Sequence, residues 1–268
     1  MSNIVHVPEN TRFYHRDGRP CFEVPSADGK KMVTPDIRHA KKLGLLESVT
    51  SILSLLNEPY LDQWKIEQRL LLSLANPKDP QETPEVYVER ICRMGADVVG
   101  LKADRGKELH TAIEKGILGI EEPKDPAAEV ALKAIRERIA AHCSLNGAME
   151  IRPEGTFANA SLGFAGRYDI RLSNEKTRVY LDVKTTDISK FKKPYPKWGL
   201  QGGAYLMGDD APVGSKFEQV VVDRDTGETR FAQWGTEDTI LTIAECQRAF
   251  CGLLEARFAL NRYDPREV

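Results

Sequence analysis

The spacing of apolar residues divides this chain into a largely helical first half and a second half that contains strands. Four segments of the first half carry apolar residues at helical spacing, which predicts amphipathic helices. We predict these helices at residues 59–74, 84–94, 104–117 and 126–143. Gly95 and Gly100 loosen the link between the second and the third. Closer to the amino terminus, a short helix begins at Thr34 and Pro35 and ends at Gly44, and Ser48 opens another.

After residue 145 the pattern changes to the short apolar runs that are typical of strands. Strands are predicted at residues 148–157, 165–171, 179–185, 217–223 and 229–232. A helix at residues 198–207 separates the third strand from the fourth, and Thr236 caps a final helix that reaches about residue 261. This order predicts an α+β fold with a mixed central sheet flanked by helices, preceded by a mostly helical amino-terminal region.

Three regions follow from these elements. Residues 1–33 contain turn signals at Asp17-Gly18 and Asp28-Gly29, which predict a hairpin-like appendage. Residues 34–145 form the helical region, and residues 146–268 form the sheet and the final helix. We expect residues 34–268 to make one compact domain, since a chain of this length can bury a substantial core.

Composition limits the classes of protein to consider. The chain has 268 residues, of which 41% are hydrophobic and 29% charged, as in an ordinary globular protein. A formal net charge of −2 means that any nucleic-acid contact must come from a local basic patch. No apolar run is long enough to span a bilayer, and no signal-peptide pattern is present. Five scattered cysteines argue against a disulfide framework and against an iron–sulfur cluster, so a reducing cytoplasm is expected.

The strongest chemical signal is a predicted hairpin that carries two carboxylates and a lysine. Asp169 ends an alternating apolar run, residues 173–176 form the turn, and Asp182-Val183-Lys184 follows on the return strand. Period-2 alternation directs Asp182 and Lys184 to one face and Val183 to the other. Carboxylates of this kind hold Mg²⁺, which polarises a phosphate, while a lysine orients water and offsets negative charge. A surface cross-strand ion pair is the alternative, because an acid and a lysine at this spacing are common.

Four motifs in a fixed order strengthen the catalytic interpretation. They are Gly106 with His110, Gly166 with Asp169, Asp182 with Lys184, and Gln201 with Tyr205. This series resembles the RecB-type branch of the PD-(D/E)XK nuclease superfamily, and the predicted helix, three strands, helix and strand match its restriction-endonuclease-like core. The resemblance covers residues 106–223. It extends more weakly to the helix start at Ser48 and Thr50, which is similar to the mitochondrial genome maintenance exonuclease group and its phage and bacterial relatives.

The resemblance implies a role for each of these residues. His110, Asp169, Asp182 and the Val183 carbonyl would hold Mg²⁺ or Mn²⁺, and Lys184 would be the catalytic lysine. Gln201 and Tyr205 would contact the substrate backbone, and the helix start at Ser48 and Thr50 belongs with them as a substrate-binding segment. Glu154 corresponds to a catalytic glutamate of the family, with a surface acid at a strand end as the alternative.

The loop after the predicted catalytic strand is basic and aromatic. Its candidate substrate-binding residues are Lys190, Lys192, Lys193, Tyr195 and Lys197. Lysines suit the phosphates of a nucleic-acid strand and rings suit its bases. A solvated charged loop is the alternative.

These observations lead us to expect a metal-dependent DNA exonuclease that acts in recombination, repair or replication-related processing. Its expected partners are DNA, as a single strand or a duplex end, and a single-strand annealing or recombination protein, with no membrane. A structure-specific endonuclease of the same fold is one alternative. A non-catalytic DNA-binding or assembly subunit with a retired nuclease fold is another.

Overall fold

The computed structural model describes residues 12–26, 28–189, 191–236 and 239–268. Within these ranges the chain forms seven α-helices and nine strands. The helices are α1 (Ile37–Leu43), α2 (Val49–Leu53), α3 (Pro59–Ala75), α4 (Pro84–Ile117), α5 (Pro126–Asn146), α6 (Pro196–Gly208) and α7 (Ile243–Asn261). The strands are β1 (Phe13–Tyr14), β2 (Val24–Pro25), β3 (Met32–Val33), β4 (Leu46–Ser48), β5 (Glu150–Asn159), β6 (Phe164–Ser173), β7 (Arg178–Thr186), β8 (Lys216–Asp223) and β9 (Thr229–Gln233).

Seven of the described strands form one mixed sheet in the order β1-β4-β6-β7-β8-β9, with β5 paired to β6. The β4–β6 and β7–β8 pairs are parallel and the other pairs are antiparallel. Strand β5 covers one edge of β6, while β4 and β7 share the other edge. The predicted α+β fold, with helices on a mixed central sheet, is confirmed.

Helices cover both faces of the sheet. On one face, α4 and α5 bury Ile113, Ile135 and Ile139 against alternate residues of the strands, such as Leu181. On the other face, α6 and α7 pack an aromatic core that includes Tyr180. Because β7 and β8 are covered on both faces, their central residues are almost continuously buried. A polar residue in these strands is therefore buried at a free-energy cost that needs a local reason.

The long helix α4 differs from the prediction. We expected two helices, at residues 84–94 and 104–117, but one helix runs through both. A glycine weakens a helix by only about 1 kcal/mol, and Gly95 lies directly against the Arg69 side chain of α3, where a Cβ would come within 2.8 Å of it. Gly95 therefore allows α3 to pack closely on α4, and α4 continues through this position without a break.

Two predicted helix starts are also wrong. Helix α1 is capped by Asp36, whose carboxylate accepts from the backbone N–H groups of Arg38 and His39, so it begins after Thr34 and Pro35. Helix α7 is capped by Thr242, in a reciprocal capping box with Glu245, instead of by Thr236. In both cases another capping residue close by makes the stronger local hydrogen bonds.

The amino-terminal segment contributes to the main sheet. Strand β1 pairs antiparallel with β4, and Phe13 and Tyr14 are buried. Strands β2 and β3 form a separate two-stranded ribbon. The predicted turns contain Gly18 and Gly29, both of which have positive φ angles.

The division into three regions stays a prediction. None of the described helices has the length and apolar character that crossing a bilayer requires.

Candidate active site

A cavity of about 380 Å³ opens where β6 and β7 separate. The two strands are paired from Ser173–Arg178 to Ile170–Leu181, and the next residue on each strand is an aspartate, Asp169 and Asp182. Beyond this point the edge of β6 pairs with β4 instead. The cavity is lined by Tyr14, Ser48, Val49, Thr50, Ala103, Gly106, Lys107, His110, Gly166, Arg167, Asp169, Val183, Lys184, Thr185, Gln201 and Tyr205.

The side-chain alternation of β6 breaks at the cavity. Tyr168 packs in the core under α6 and α7, whereas Ile170 packs in the core under α4 and α5. In a regular strand these two residues would share a face. The break frees the Asp169 carboxylate to reach β7, where Asp169 Oδ2 accepts from the Val183 backbone N–H at 2.7 Å. Asp169 thus replaces the ladder hydrogen bond that is lost where the strands separate.

Asp182 is the most deeply buried acid of the site, with 1% of its surface exposed. One carboxylate oxygen, Oδ2, lies 2.6 Å from Lys184 Nζ and accepts from the Gln219 amide of β8 at 2.7 Å. The other, Oδ1, has no hydrogen-bond partner among the described residues. Burial raises the pKa of Asp182, and the nearby Asp169 charge raises it further against the opposing effect of Lys184. A cation beside Oδ1 would stabilise the charged form.

His110 reaches the site from α4. Its Nε2 atom lies 2.8 Å from the Val183 carbonyl oxygen and 3.7 Å from Asp169 Oδ2. Gly106, one turn earlier on the same helix, lies against Thr185 of β7, where a Cβ would come within 2.6 Å of Thr185 Oγ1. The absence of a side chain at Gly106 therefore allows α4 to approach β7 closely enough for His110 to reach the strand.

Glu154 lies beside these groups and not on a remote strand end. The β5–β6 pairs Pro153–Ile170 and Gly155–Tyr168 place Glu154 opposite Asp169. Donor atoms of His110, Glu154 and Asp169 all lie within 4.8 Å of one another. Glu154 Oε2 is also 2.9 Å from Arg167 Nε, and its φ angle is +51°, which is uncommon for a residue with a side chain.

These groups fit a hard divalent cation. Carboxylate oxygens, a backbone carbonyl and an imidazole are suitable ligands for Mg²⁺ or Mn²⁺. His110, Glu154 and Asp169 offer the close donor group, and the Val183 oxygen lies within hydrogen-bond distance of His110 Nε2, at 2.8 Å. The unpartnered, buried Oδ1 of Asp182 offers a further oxygen. Asp169 and Glu154 complete the donor set.

Gln201 and Tyr205 lie together on α6 and line the cavity. The Gln201 amide donates to the Tyr205 hydroxyl, and both side chains are buried. Burial raises the pKa of Tyr205 well above its ordinary value, and the charges of Asp182 and Asp169 add to the shift. The hydroxyl therefore stays protonated and is available as a neutral donor or acceptor.

The predicted segment at Ser48 and Thr50 lies on another wall of the cavity. Ser48 caps α2 by accepting from the Ser51 backbone N–H at 3.1 Å, and its hydroxyl is 3.1 Å from that of Thr50. Part of the hydrogen-bonding capacity of Ser48 is thus used to begin the helix. Thr50 is exposed.

The basic loop lies outside the cavity lining. Lys192 and Lys193 are exposed, whereas Lys197, at the start of α6, forms an ion pair with Glu58 at the start of α3. Tyr195 is exposed on the same loop. Lys190 lies outside the described residues. The structure therefore brings together the acids, His110, Val183, Lys184, Gln201, Tyr205, Ser48 and Thr50, but leaves the loop residues at a distance from the cavity wall.

Four residues of the site were missed in the sequence. Lys107 and Arg167 lie within the predicted motifs and add cationic side chains to the cavity, so their positions beside His110 and Asp169 were an available signal. Gln219 is a buried polar residue directly before the apolar run of residues 220–222, which was a second signal. Tyr14 comes from β1 and lines the cavity, and no local pattern marks it.

No protein-family model matches the sequence, and comparison with curated proteins found no significant match. Among solved structures, a provisionally assigned exonuclease from Eubacterium rectale is 13% identical with a TM-score of 0.38, over 61% of this chain and 68% of the other. An alkaline exonuclease from Laribacter hongkongensis is 16% identical with a TM-score of 0.28, over 57% of this chain and 81% of the other. Similarity of this extent does not identify a family or an activity. The functional proposal therefore rests on the site itself.

Proposed function

We propose that this protein is a Mg²⁺- or Mn²⁺-dependent deoxyribonuclease of the RecB-type branch of the PD-(D/E)XK superfamily. It hydrolyses phosphodiester bonds from a DNA end, in recombination, repair or replication-related processing. The observation that carries the proposal is the convergence of four separate motifs on one cavity. His110, Asp169, Lys184 and Tyr205 come from α4, β6, β7 and α6 and line the same cavity.

The donor set supports the metal requirement. His110, Glu154, Asp169, Asp182 and the Val183 carbonyl would hold the ion, whose chemistry is to neutralise phosphate charge and make water more acidic. Gln219 keeps the buried Asp182 carboxylate in place through its amide hydrogen bond. A carboxylate held in this way does not have to reorganise when substrate binds.

Lys184 supports the hydrolytic step. Its Nζ atom lies 2.6 Å from Asp182 Oδ2 and the side chain borders the cavity, with about a quarter of its surface exposed. Because Lys184 is beside Asp182 and borders the cavity, we assign it to orienting the attacking water and to offsetting negative charge. Water adds to phosphorus in line with the leaving oxygen, the bond to the 3′ oxygen breaks, and the product retains a 5′-phosphate.

Contacts beside the cavity support the requirement for a DNA end. Helix α3 lies on α4 through Lys102, whose Nζ is 4.8 Å from the centre of the Trp64 ring. One turn before Trp64, at the start of the helix, α3 meets the loop after β7 through the Glu58–Lys197 ion pair and the Tyr60 and Tyr195 rings. Helix α3 and this loop are therefore joined. A continuous DNA strand could enter between α3 and the loop only if these contacts broke. A strand with a free end could instead be threaded between the two elements while the contacts stay in place.

One assay separates this proposal from its alternatives. End-labelled single- and double-stranded DNA, with each end blocked in turn, is incubated with Mg²⁺, with Mn²⁺ or with excess EDTA. We expect cleavage from an unblocked end with either metal and none in EDTA. Undiminished cleavage in EDTA would exclude the metal-dependent mechanism. Rapid cutting of a closed circular single strand would identify an endonuclease, and DNA binding with no cleavage under any condition would identify a non-catalytic subunit.

A further inference from the structure

An aromatic cluster joins α3 to the loop between β7 and α6. The Tyr60 and Tyr195 ring centres are 6.3 Å apart with their planes at 40°. Tyr195 meets the Trp198 ring edge-on at 4.9 Å, and Trp198 is nearly parallel to Phe191 at 6.1 Å. Two rings of this cluster face solvent, since Tyr60 is 77% exposed and Tyr195 is 46% exposed.

Core packing does not account for the two exposed rings. Burial of aromatic surface stabilises a fold in proportion to the area removed from water, and Tyr60 removes little of its area. Trp198 and Phe191 are half-buried; Trp198 contacts Tyr195 directly, and Phe191 stacks on Trp198. The cluster therefore consists of two exposed ring surfaces on a fixed aromatic base, which suits a planar ligand.

The position of the cluster connects it to the cavity. Trp198 precedes the cavity-lining Gln201 by three residues on α6, which is about 4.5 Å along the helix axis. Lys192 and Lys193 are exposed on the loop that carries Tyr195. The Glu58–Lys197 ion pair joins the same two elements as the rings do. The exposed rings and the exposed loop lysines therefore lie on and beside the segment that leads into the cavity-lining helix α6.

We propose that Tyr60 and Tyr195 form a platform on which unpaired bases of the substrate strand stack. This inference rests on the proposed nuclease function and adds the substrate class. A base in a duplex is already stacked and paired, whereas an unpaired base presents a free face to an aromatic side chain. Exposed lysines of the loop hold the adjacent phosphates. The bound segment next to the cavity is therefore single-stranded.

The test compares two fluorescent single strands of about 12 nucleotides, a length within the range of known single-strand sites. One is oligothymidine, and the other has the same phosphates but abasic sugars throughout. Dissociation constants are measured by anisotropy in EDTA, which stops cleavage. The variants are Tyr60→Leu, Tyr195→Leu and Tyr60→Phe. Leu74→Ala is the matched control, because Leu74 is an 81% exposed apolar residue near the other end of α3.

We expect each Tyr→Leu variant to bind oligothymidine about tenfold more weakly, within the range that stacking of one base supplies. Its affinity for the abasic strand should not change. Tyr60→Phe and Leu74→Ala should bind both strands as the wild type does. Equal losses for both strands, or no loss for either, would overturn the platform.

The wild type also separates this inference from the nuclease proposal. If it cleaves oligothymidine with Mg²⁺ but binds both strands equally, the platform is wrong and the nuclease proposal stands. If it binds oligothymidine more tightly through the two tyrosines but never cleaves it, the platform stands and the nuclease proposal is wrong. If it binds neither strand, the platform is wrong, and cleavage with Mg²⁺ decides the nuclease proposal separately.

Discussion

Gly106 provides a direct test of whether the spacing of α4 and β7 sets the position of His110. A Cβ added at Gly106 would lie 2.6 Å from Thr185 Oγ1, whereas ordinary contacts begin at 3.4 Å. Gly106→Ala therefore requires α4 to move from β7 by up to about 0.8 Å for as long as Thr185 keeps its position. The alternative is a rotation of Thr185, which a β-branched side chain resists.

This displacement bears on the site because His110 lies one turn away on the same helix. Its Nε2 atom is 2.8 Å from the Val183 oxygen, and an error of about 1 Å in a catalytic group can reduce the rate about 100-fold. We expect kcat/KM to fall about 10- to 100-fold. The free energy of unfolding should change little, since alanine favours a helix by about 1 kcal/mol, which offsets an overpacking cost of about 1–3 kcal/mol.

The assay is the Mg²⁺-dependent cleavage of an end-labelled single strand, with the free energy of unfolding measured in urea. Gly100→Ala is the matched control, because it lies on the same helix with no atom within 4 Å of the added Cβ. It should gain up to about 1 kcal/mol of stability and keep full activity. Thr185→Ala removes the clashing oxygen and should restore activity to Gly106→Ala. Full activity of Gly106→Ala alone, or no rescue by Thr185→Ala, would refute the reasoning.

Three further predictions concern other parts of the molecule. Lys184→Ala should lose most of its turnover but bind DNA about as tightly as the wild type, and turnover within a few-fold of wild type would make the Asp182–Lys184 contact a simple ion pair. Reversing Lys192 and Lys193 to Glu should weaken binding to all sequences and lower the slope of log K against log salt by at least about 1.4 for single strands; an unchanged slope would mean that neither lysine contacts phosphate. Glu218 is buried, which by itself raises its pKa, but hydrogen bonds from His142 and Arg138 hold the pKa below the ordinary 4.5. Its contribution to stability is therefore complete above about pH 4.5 and is lost as the pH falls through the lower folded value. The wild type should exceed Glu218→Gln in free energy of unfolding near neutral pH and lose that advantage in acid, and a difference that does not vary with pH would contradict this.

Much of the fold follows from the sequence because it depends on local patterns. The β6–β7 hairpin, its turn and the strand β5 before it have the predicted order, since a period of two and turn residues are properties of neighbouring positions. The same reasoning fails for α4, where the sequence favours a break near Gly95. The contact that makes this glycine useful comes from Arg69 on another helix, and local propensity contains no information about it.

The sequence also determined which chemical groups the site contains, because the motifs carry His110, Asp169, Asp182 and Lys184 at fixed spacings. Only the tertiary structure decided how these groups are held. Gln219 fixes one oxygen of Asp182 from a neighbouring strand, and the break in β6 turns Asp169 towards the backbone of β7.

Other features depend entirely on contacts between distant parts of the chain. Tyr14 reaches the cavity because β1 pairs with β4, and Tyr60 meets Tyr195 because α3 begins against the loop before α6. Each contact joins residues that are far apart in sequence. Hydrophobic periodicity specifies which face of an element is buried, but not which element covers it, so such contacts are decided when the helices pack on the sheet.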